Sequence, residues 1–114
     1  MHRGAVKAIL LNQKLMSGIG NLYADEILFR ACMHPAREAA RLSEKDLGRL
    51  FRATRYVLKK AIALKTDFNR VPKSWLLTHR GKRGKCPRCG RALKSATIGG
   101  RTSWFCTHCQ KRKA

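Results

Sequence analysis

The chain has 114 residues, 44% of them hydrophobic, which suits one ordinary domain or two very small ones and argues against global disorder. Its 26 lysines and arginines outnumber 6 acidic residues, and the formal charge of +20 favours a polyanionic partner, with nucleic acid ahead of an anionic membrane surface. No apolar run approaches the roughly 20 residues that span a bilayer, and the first residues do not form a secretory signal. We therefore expect a soluble, intracellular protein with reduced cysteines and no membrane contact.

The first half of the chain predicts helices joined by an unusual turn. An apolar helical pattern leads into Gly18-Ile19-Gly20-Asn21, and Asn21 is a good N-cap for the helix that follows. Gly18 and Gly20 can adopt backbone angles that other residues avoid, so a phosphate oxygen can approach the backbone amides closely. Those amides, the helix start and the Asn21 side chain together suit an anion site. Taken alone, Gly-Ile-Gly between helices is a weak signal.

The helix after this turn is expected to bury Ile27 and Leu28 and to end at Pro35. Cys32 falls on the same apolar face, and we expect it to be an ordinary core residue.

A third helix is predicted to begin at a capping box formed by Ser43 and Asp46. Apolar residues then recur at helical spacing over about five turns. The basic residues between them indicate either a solvated face or, less favoured, a specific site. The expected inward face comprises Leu47, Leu50, Phe51, Thr54, Val57, Leu58, Ala61 and Ile62, and the basic residues are Arg49, Arg52, Arg55, Lys59 and Lys60.

The charge distribution indicates a domain boundary after these helices. The first 67 residues contain 13 basic and 6 acidic residues, a net charge of +7, whereas the remainder contains 13 basic residues and no acidic one. Helical periodicity ends near the same point, before Pro72. We therefore predict a helical domain over 1–68, a linker over 69–84 and a small cysteine-containing domain with a basic tail over 85–114.

Four cysteines in the second half have the spacing of a metal site. Cys86 and Cys89 form one C-x2-C pair, Cys106 and Cys109 form another, and 16 residues separate the pairs. Each pair places two thiolates on one tight turn, and four thiolates satisfy tetrahedral Zn²⁺ with no open position. We therefore predict one structural zinc ion. Two disulfides fit an intracellular chain poorly, redox pairs need a βαβ context, and His108 is a weakly favoured substitute ligand.

The segment between the cysteine pairs predicts a short β-hairpin around two glycines. About thirty residues cannot bury enough apolar surface to fold alone, which is why zinc is needed. Arg101 follows the glycines at the exposed tip of this hairpin. Its side chain is either an ordinary solvated charge or a group that reaches a groove or a phosphate.

The combination of these motifs resembles one family. The chain contains, in this order, the segments "LLNQKLMSGIGNLYADEILFRACMHPAR", "CPRCG" and "IGGRTSWFCTHCQ". In this combination they closely resemble the C-terminal half of the formamidopyrimidine-DNA glycosylase and endonuclease VIII family of base-excision repair enzymes. The resemblance covers nearly the whole chain. It implies a mainly α fold, in which a helix-two-turns-helix domain is followed by a small β-hairpin zinc finger with four cysteine ligands.

The resemblance also implies a function and its residues. The implied protein is the part of a bifunctional DNA glycosylase and abasic-site lyase that binds damaged DNA, a monomer in the cytoplasm associated with the bacterial nucleoid. It grips lesion-containing duplex DNA while the damaged base is flipped out. By motif, Asn21 and Arg101 hold phosphates flanking the lesion, with Gly18 and Gly20 shaping the turn. The implied ligands of one structural Zn²⁺ are Cys86, Cys89, Cys106 and Cys109.

The start of the chain departs from the family pattern. Family members begin with a proline, whose amine forms a Schiff base with the sugar, followed by a glutamate that acts in proton transfer. This sequence begins "MHRGA", so we expect the catalytic domain to be absent, no catalytic residue to be present and the chain to be inactive alone. The alternative is a stand-alone, non-catalytic, zinc-containing nucleic-acid-binding module, possible partners including structured RNA. A weaker alternative is a zinc-ribbon factor of transcription or translation.

The segment between the two domains is a second departure, because it is shorter than the loop that covers a flipped oxidised purine in many family members. Trp75 and Leu76 are expected to plug the space between the domains. In the less favoured alternative, Trp75 and His79 contact DNA. The identity of the damaged base stays open.

Overall fold

The computed structural model describes residues 4–7, 20–63, 71–81, 83–98 and 100–111. Within these residues, no helix combines the length and the apolarity that a membrane crossing would require.

The helical part is built on α1 (Gly20–Arg30) and α2 (Glu44–Ala63). A 3-10 turn over Ala39–Arg41 precedes α2, and a second one over Leu76–His79 lies in the segment that leads to the cysteines. The two α-helices pack against each other, and α1 also contacts the second 3-10 turn and the hairpin. α1 is therefore the element that joins the two halves of the molecule.

α2 begins where the sequence predicts. The Ser43 backbone amide donates to Asp46 Oδ2 at 3.0 Å, and the Asp46 amide donates to Ser43 Oγ at 3.1 Å. These reciprocal bonds satisfy two backbone donors that a helix start otherwise leaves unpaired. The predicted capping box is confirmed.

The main core lies between α1 and α2. Ile27 and Leu28 are fully buried, and α2 contributes small or branched residues that allow close approach of the helices. The buried members of this cluster are Val6, Tyr23, Ala24, Ile27, Leu28, Ala31, Met33, Ala53, Val57, Ala61, Val71 and Trp75.

The prediction assigned too many residues of α2 to its buried face. Leu47, Phe51 and Ile62 are exposed by 51%, 62% and 77%, contrary to the prediction. Val57 is fully buried at the centre of the contact with α1. At 3.6 residues per turn, Phe51 and Ile62 lie roughly 120° and about 140° around the helix from Val57, beyond the reach of α1. The spacing of apolar residues identified the helix but not the width of its contact.

A second, smaller cluster surrounds the cysteines. Its buried members are Phe29, Leu76, Cys86, Leu93 and Cys106. Phe29 belongs to α1, so this cluster is partly built from the helical half. Trp75 lies in the main core, and its neighbour Leu76 lies in this cluster. This agrees with the prediction that the two residues fill the space between the two halves.

The predicted hairpin is present. β1 (Lys94–Ile98) pairs antiparallel with β2 (Arg101–Phe105), with Ile98 opposite Arg101. Gly100 has φ +78°, a left-handed conformation that glycine adopts without steric cost, which explains the glycine at this tight turn. The mainly α fold with a β-hairpin zinc finger is confirmed.

Cys32 does not occupy the core position that we expected. The Cys32 amide donates to the Phe29 carbonyl at 3.1 Å and the Met33 amide to the Leu28 carbonyl at 2.9 Å, the bonding pattern of a Schellman motif at the end of α1. Cys32 takes the left-handed position of this motif with φ +57°, and it is exposed. Helix termination therefore overrides the apolar periodicity at this residue.

Candidate metal centre and nucleic-acid interface

The four predicted cysteine ligands meet at one point. The sulfur atoms of Cys86, Cys89, Cys106 and Cys109 all lie within 4.8 Å of one another. Cys89 Sγ is 3.5 Å from Cys106 Sγ, and Cys86 Sγ is 3.9 Å from Cys109 Sγ. Four thiolates at such separations can surround a single tetrahedral ion and leave no position for a substrate. His108 is not a member of this group.

Two similar turns hold the sulfurs in place. The Arg88 amide donates to Cys86 Sγ and the Cys109 amide donates to Cys106 Sγ, both at 3.4 Å. In the first turn the chain then reverses at Gly90, whose φ of +79° suits glycine. Backbone donors directed at sulfur stabilise the thiolate form that metal binding requires.

The pKa values of three of these thiols support the fit to a cation. Burial raises the pKa of the Cys109 thiol to about 12, whereas a backbone hydrogen bond from Arg91 lowers the pKa of Cys89 to about 6. The Cys89 thiolate forms readily, whereas burial also raises the pKa of Cys106, so Cys106 and Cys109 need a counter-charge before they ionise. A divalent ion supplies that charge, and zinc is the ion that four thiolates in closed tetrahedral geometry select.

A cluster of polar contacts lies beside the hairpin tip, around the Thr102 carbonyl oxygen. The Asn21 side-chain amide donates to this oxygen at 3.2 Å, and Lys7 Nζ donates to it at 3.3 Å. Arg80 Nη2 lies 3.5 Å from the same oxygen. Thr102 follows Arg101, which is exposed at the start of β2. The structure thus brings together the two predicted phosphate contacts, Asn21 and Arg101, although 80 positions separate them in the sequence.

The buried carboxylate of Asp25 lies beneath this carbonyl. Lys7 Nζ is 2.7 Å from Asp25 Oδ1, and Arg80 Nη2 is 3.0 Å from Oδ2. The Trp104 backbone amide donates to Oδ2 at 3.1 Å, and Lys7 also donates to Ser103 Oγ at 2.7 Å. Burial lowers the pKa of Lys7, and the neighbouring Asp25 carboxylate opposes that effect. Asp25 therefore fixes strand β2 against α1 through one amide and two cations.

Sequence reasoning missed this Asp25 cluster. The sequence places Asp25 and Glu26 near the start of a helix and Lys7 off an apolar stripe, and neither position predicts a buried ion pair. A signal was available, because two of the six acidic residues lie in the middle of a helix that is otherwise apolar. Buried acidic residues of this kind are normally paired.

Glu26 joins α1 to the linker in a similar way. It is fully buried, and one carboxylate oxygen accepts a hydrogen bond from the Leu77 amide at 2.9 Å. Burial raises the pKa of Glu26 to about 7, because the hydrogen bond from Leu77 and the charge of Arg30, whose Nε lies 3.8 Å away, offset only part of the desolvation.

A basic loop adjoins the hairpin through Arg80. A cavity of about 570 Å³ is lined by Thr78, His79, Arg80, Gly81, Arg83, Gly84 and Lys85. A Cβ atom at Gly84 would lie 1.6 Å from the His79 carbonyl oxygen, so only glycine allows the loop to close this tightly. His79 Nε2 itself lies 2.7 Å from the Lys73 carbonyl oxygen.

The remaining predicted site residues are the two glycines of the turn. Gly20 is the first residue of α1. Gly18 lies outside the described residues.

Comparisons with known proteins give one family model for each half of the chain. A family model described as the formamidopyrimidine-DNA glycosylase H2TH domain matches residues 1–72, and a model described as the zinc finger found in FPG and IleRS matches residues 84–112. The formamidopyrimidine-DNA glycosylase of Listeria innocua is 41% identical over 117 residues, which cover 94% of this chain and 43% of the relative. With four sulfurs positioned for one ion, the prediction of one bound zinc is confirmed.

Solved structures give the same result. The crystal structure of the MutM (Fpg) protein of Thermus thermophilus has a TM-score of 0.75 at 37% identity, covering 98% of this chain and 47% of that one. A complex between Lactococcus lactis Fpg and DNA containing an abasic site has a TM-score of 0.74 at 32% identity, covering 94% of this chain and 43% of that one. The chain thus spans less than half the length of these relatives. It belongs to the formamidopyrimidine-DNA glycosylase family, of which it carries the H2TH domain and the zinc finger.

Proposed function

We propose that this chain is the DNA-binding part of a formamidopyrimidine-DNA glycosylase, in which Asn21 and Arg101 hold backbone phosphates that flank a damaged base. The observation that carries the proposal is the hydrogen bond from the Asn21 amide to the Thr102 carbonyl oxygen, 3.2 Å long, which holds the start of α1 beside the hairpin tip. One hydrogen of that amide group is used in this bond, and the second is available to a phosphate oxygen. The exposed Arg101 adds a charged, planar fork suited to a neighbouring phosphate.

Several further features support duplex DNA as the partner. The Lactococcus lactis relative forms a complex with DNA that contains an abasic site, and the charge of this chain is +20.

We assign the helical domain to 1–68, the linker to 69–84 and the zinc finger to 85–114. In this assignment Cys86, Cys89, Cys106 and Cys109 hold one structural zinc ion, while Gly18 and Gly20 let a phosphate approach the turn closely.

The chemistry of base removal belongs, in this proposal, to a part of the enzyme that this chain does not supply. The three prolines of the sequence, Pro35, Pro72 and Pro87, are followed by Ala, Lys and Arg, so no Pro-Glu pair is present. The 114-residue chain is expected to release no damaged base and to form no borohydride-trapped adduct with abasic DNA. Site-specific trapping would instead identify a lysine as a Schiff-base nucleophile and contradict this division of labour.

The decisive experiment measures duplex affinity against salt concentration for Arg101→Ala. One lost phosphate contact is expected to weaken binding about tenfold and to reduce the salt slope by about one unit. Asn21→Ala is expected to weaken binding with a smaller change in slope, because no charge is removed. Lys111→Ala, which removes a charge from the exposed tail, is the matched control and should change affinity less than Arg101→Ala.

Two outcomes would contradict the proposal. If Lys111→Ala weakens duplex binding more than Arg101→Ala, the hairpin is only a scaffold and the binding is non-specific attraction between charges. If the parent chain prefers structured or single-stranded RNA to an abasic duplex, the stand-alone nucleic-acid module becomes the better assignment. Zinc content and helicity must be unchanged in every variant compared.

A further inference from the structure

A second basic site lies at the opposite end of α1 from Asn21. A cavity of about 280 Å³ opens between the end of α1 and the first half of α2. Among the described residues that line it, none is acidic and three of the seven are arginines. The lining residues are Arg30, Ala31, Cys32, Arg49, Arg52, Ala53 and Tyr56.

Arg30 is held rigidly at the back of this cavity. Its guanidinium carbon lies 4.3 Å from the centre of the Tyr56 ring and 5.0 Å from the centre of the Trp75 ring. The Nε atom is buried, yet 28% of the side chain is exposed, so the exposed area belongs to the other atoms of the side chain. Cation–π contacts with two rings orient the guanidinium before any ligand arrives.

The other two arginines project from successive turns of α2. Arg49 Nη2 is fixed 2.7 Å from Asp46 Oδ1, and 44% of the Arg49 side chain remains exposed. Arg52 is exposed and folds back over Gly48, where an added Cβ would lie 3.3 Å from Arg52 Nη1.

We propose that the pocket formed by Arg30, Arg49 and Arg52 binds a phosphate group. A tetrahedral oxyanion matches the planar donors of several guanidinium groups, and arginine is the residue most suited to that pairing. The pocket, at about 280 Å³, is large enough for such a group.

This pocket is separate from the proposed contacts of Asn21 and Arg101. α1 runs from Gly20 to Arg30, a length of roughly 15 Å at the rise of an α-helix. The two sites therefore lie at opposite ends of one helix. The phosphate can come from the backbone of a second nucleic-acid segment or from a free or terminal phosphate, and both sources share the same chemistry.

The test titrates inorganic phosphate into the full chain by calorimetry, with chloride keeping the ionic strength constant. Arg52→Ala is expected to lower the affinity for phosphate about tenfold, the effect of losing one charge-assisted contact. Arg55→Ala is the matched control, because Arg55 lies on the same helix but does not line the pocket. Its effect should stay within about twofold.

Three results would overturn the proposal. Phosphate affinity could be unchanged in Arg52→Ala, or it could fall equally in Arg55→Ala, or a glutamate-rich peptide could bind in an Arg52-dependent manner while phosphate does not. Because neither Asn21 nor Arg101 lines this pocket, failure here is distinguishable from failure of the proposed DNA contacts.

A second measurement separates the two phosphate sources. Energy transfer between two differently labelled duplexes reports whether one chain holds both at once. Transfer that is lost in Arg52→Ala assigns the pocket to backbone phosphates. Phosphate binding without such transfer assigns it to free or terminal phosphates, and either result supports the proposal.

Discussion

Asp46 and Asp25 are both buried carboxylates with several donors, but their partners come from very different distances along the chain. Asp46 accepts from Arg37 and from the Ser43 amide, both within nine residues. Asp25 accepts from Arg80 and from the Trp104 amide, which are 55 and 79 residues away.

The difference decides what each carboxylate controls. Asp46 fixes the start of one helix, and its contacts would survive if the rest of the chain moved. Asp25 fixes the hairpin against α1, so its contacts depend on the whole fold. A disturbance of the hairpin should therefore reach Asp25 and spare Asp46.

Removal of zinc is the strongest way to test this contrast. Structural zinc sites in small domains contribute about 10–16 kcal/mol of apparent binding energy, so chelation should unfold β1 and β2. The Trp104 amide then leaves Asp25, while the cap at Asp46 persists. Amide hydrogen exchange should show protection lost in the strands, reduced near Phe29 of α1 and retained in α2. Simultaneous loss of protection in α2 and the strands would refute the contrast.

Neutralising Asp25 should lower the free energy of unfolding more than neutralising Asp46. Asp25→Asn leaves Lys7 and Arg80 without their counter-ion in a buried position and is expected to cost about 3–5 kcal/mol. Asp46→Asn retains a side-chain oxygen that can accept the hydrogen bond from the Ser43 amide, and we expect a smaller loss, on the order of 2 kcal/mol. Chemical denaturation of both variants at neutral pH measures the difference. Equal losses would mean that the Asp25 cluster contributes no more than a helix cap.

Acid titration isolates the contribution of Asp46. The backbone hydrogen bond from Ser43 is the main cause that lowers the pKa of Asp46 from 3.8 to about 2. Because the folded-state pKa is the lower one, the contribution to stability is complete above pH 3.8 and is lost as the pH falls towards 2. The amount is on the order of 2 kcal/mol. Denaturation curves across this window should show that the free energy of unfolding falls more steeply with decreasing pH in the parent than in Asp46→Asn. Identical pH profiles would contradict the assignment.

The smallest expected effect concerns Cys32, where a local preference opposes a distant contact. Cys32→Gly removes the cost of a left-handed conformation, φ +57°, but also the contact of Sγ with Arg88 Nη1 at 3.1 Å. We expect a net stabilisation of roughly 1 kcal/mol, since the residue is exposed and the weak sulfur contact is readily replaced by water. Thermal unfolding measures it, with Cys32→Ala as the control that keeps the conformational cost. If Cys32→Gly is less stable than the parent, the Arg88 contact outweighs the strain.

The same distinction between local and distant partners explains what the sequence could predict. The cysteine pairs, the two-glycine hairpin and the Ser43–Asp46 box are each encoded within a few neighbouring residues, and all three are present. Cys32 and Phe51 were placed in the core wrongly, because periodicity does not reveal where a helix ends or how wide its contact is. The Asp25 cluster was missed because its partners meet only after the chain has folded.

The hairpin is held at two places before the chain binds a ligand. The cysteine cluster fixes one end of the hairpin, and Asp25 fixes the strand beside Arg101. The spacing between Asn21 and Arg101 is therefore set before any nucleic acid arrives, and little conformational entropy remains to be lost on binding. Under the proposed function the protein acts as a rigid template and the duplex is the partner that deforms. A strand that bends at low cost, as at a site lacking a base, is then favoured without any contact to the base itself.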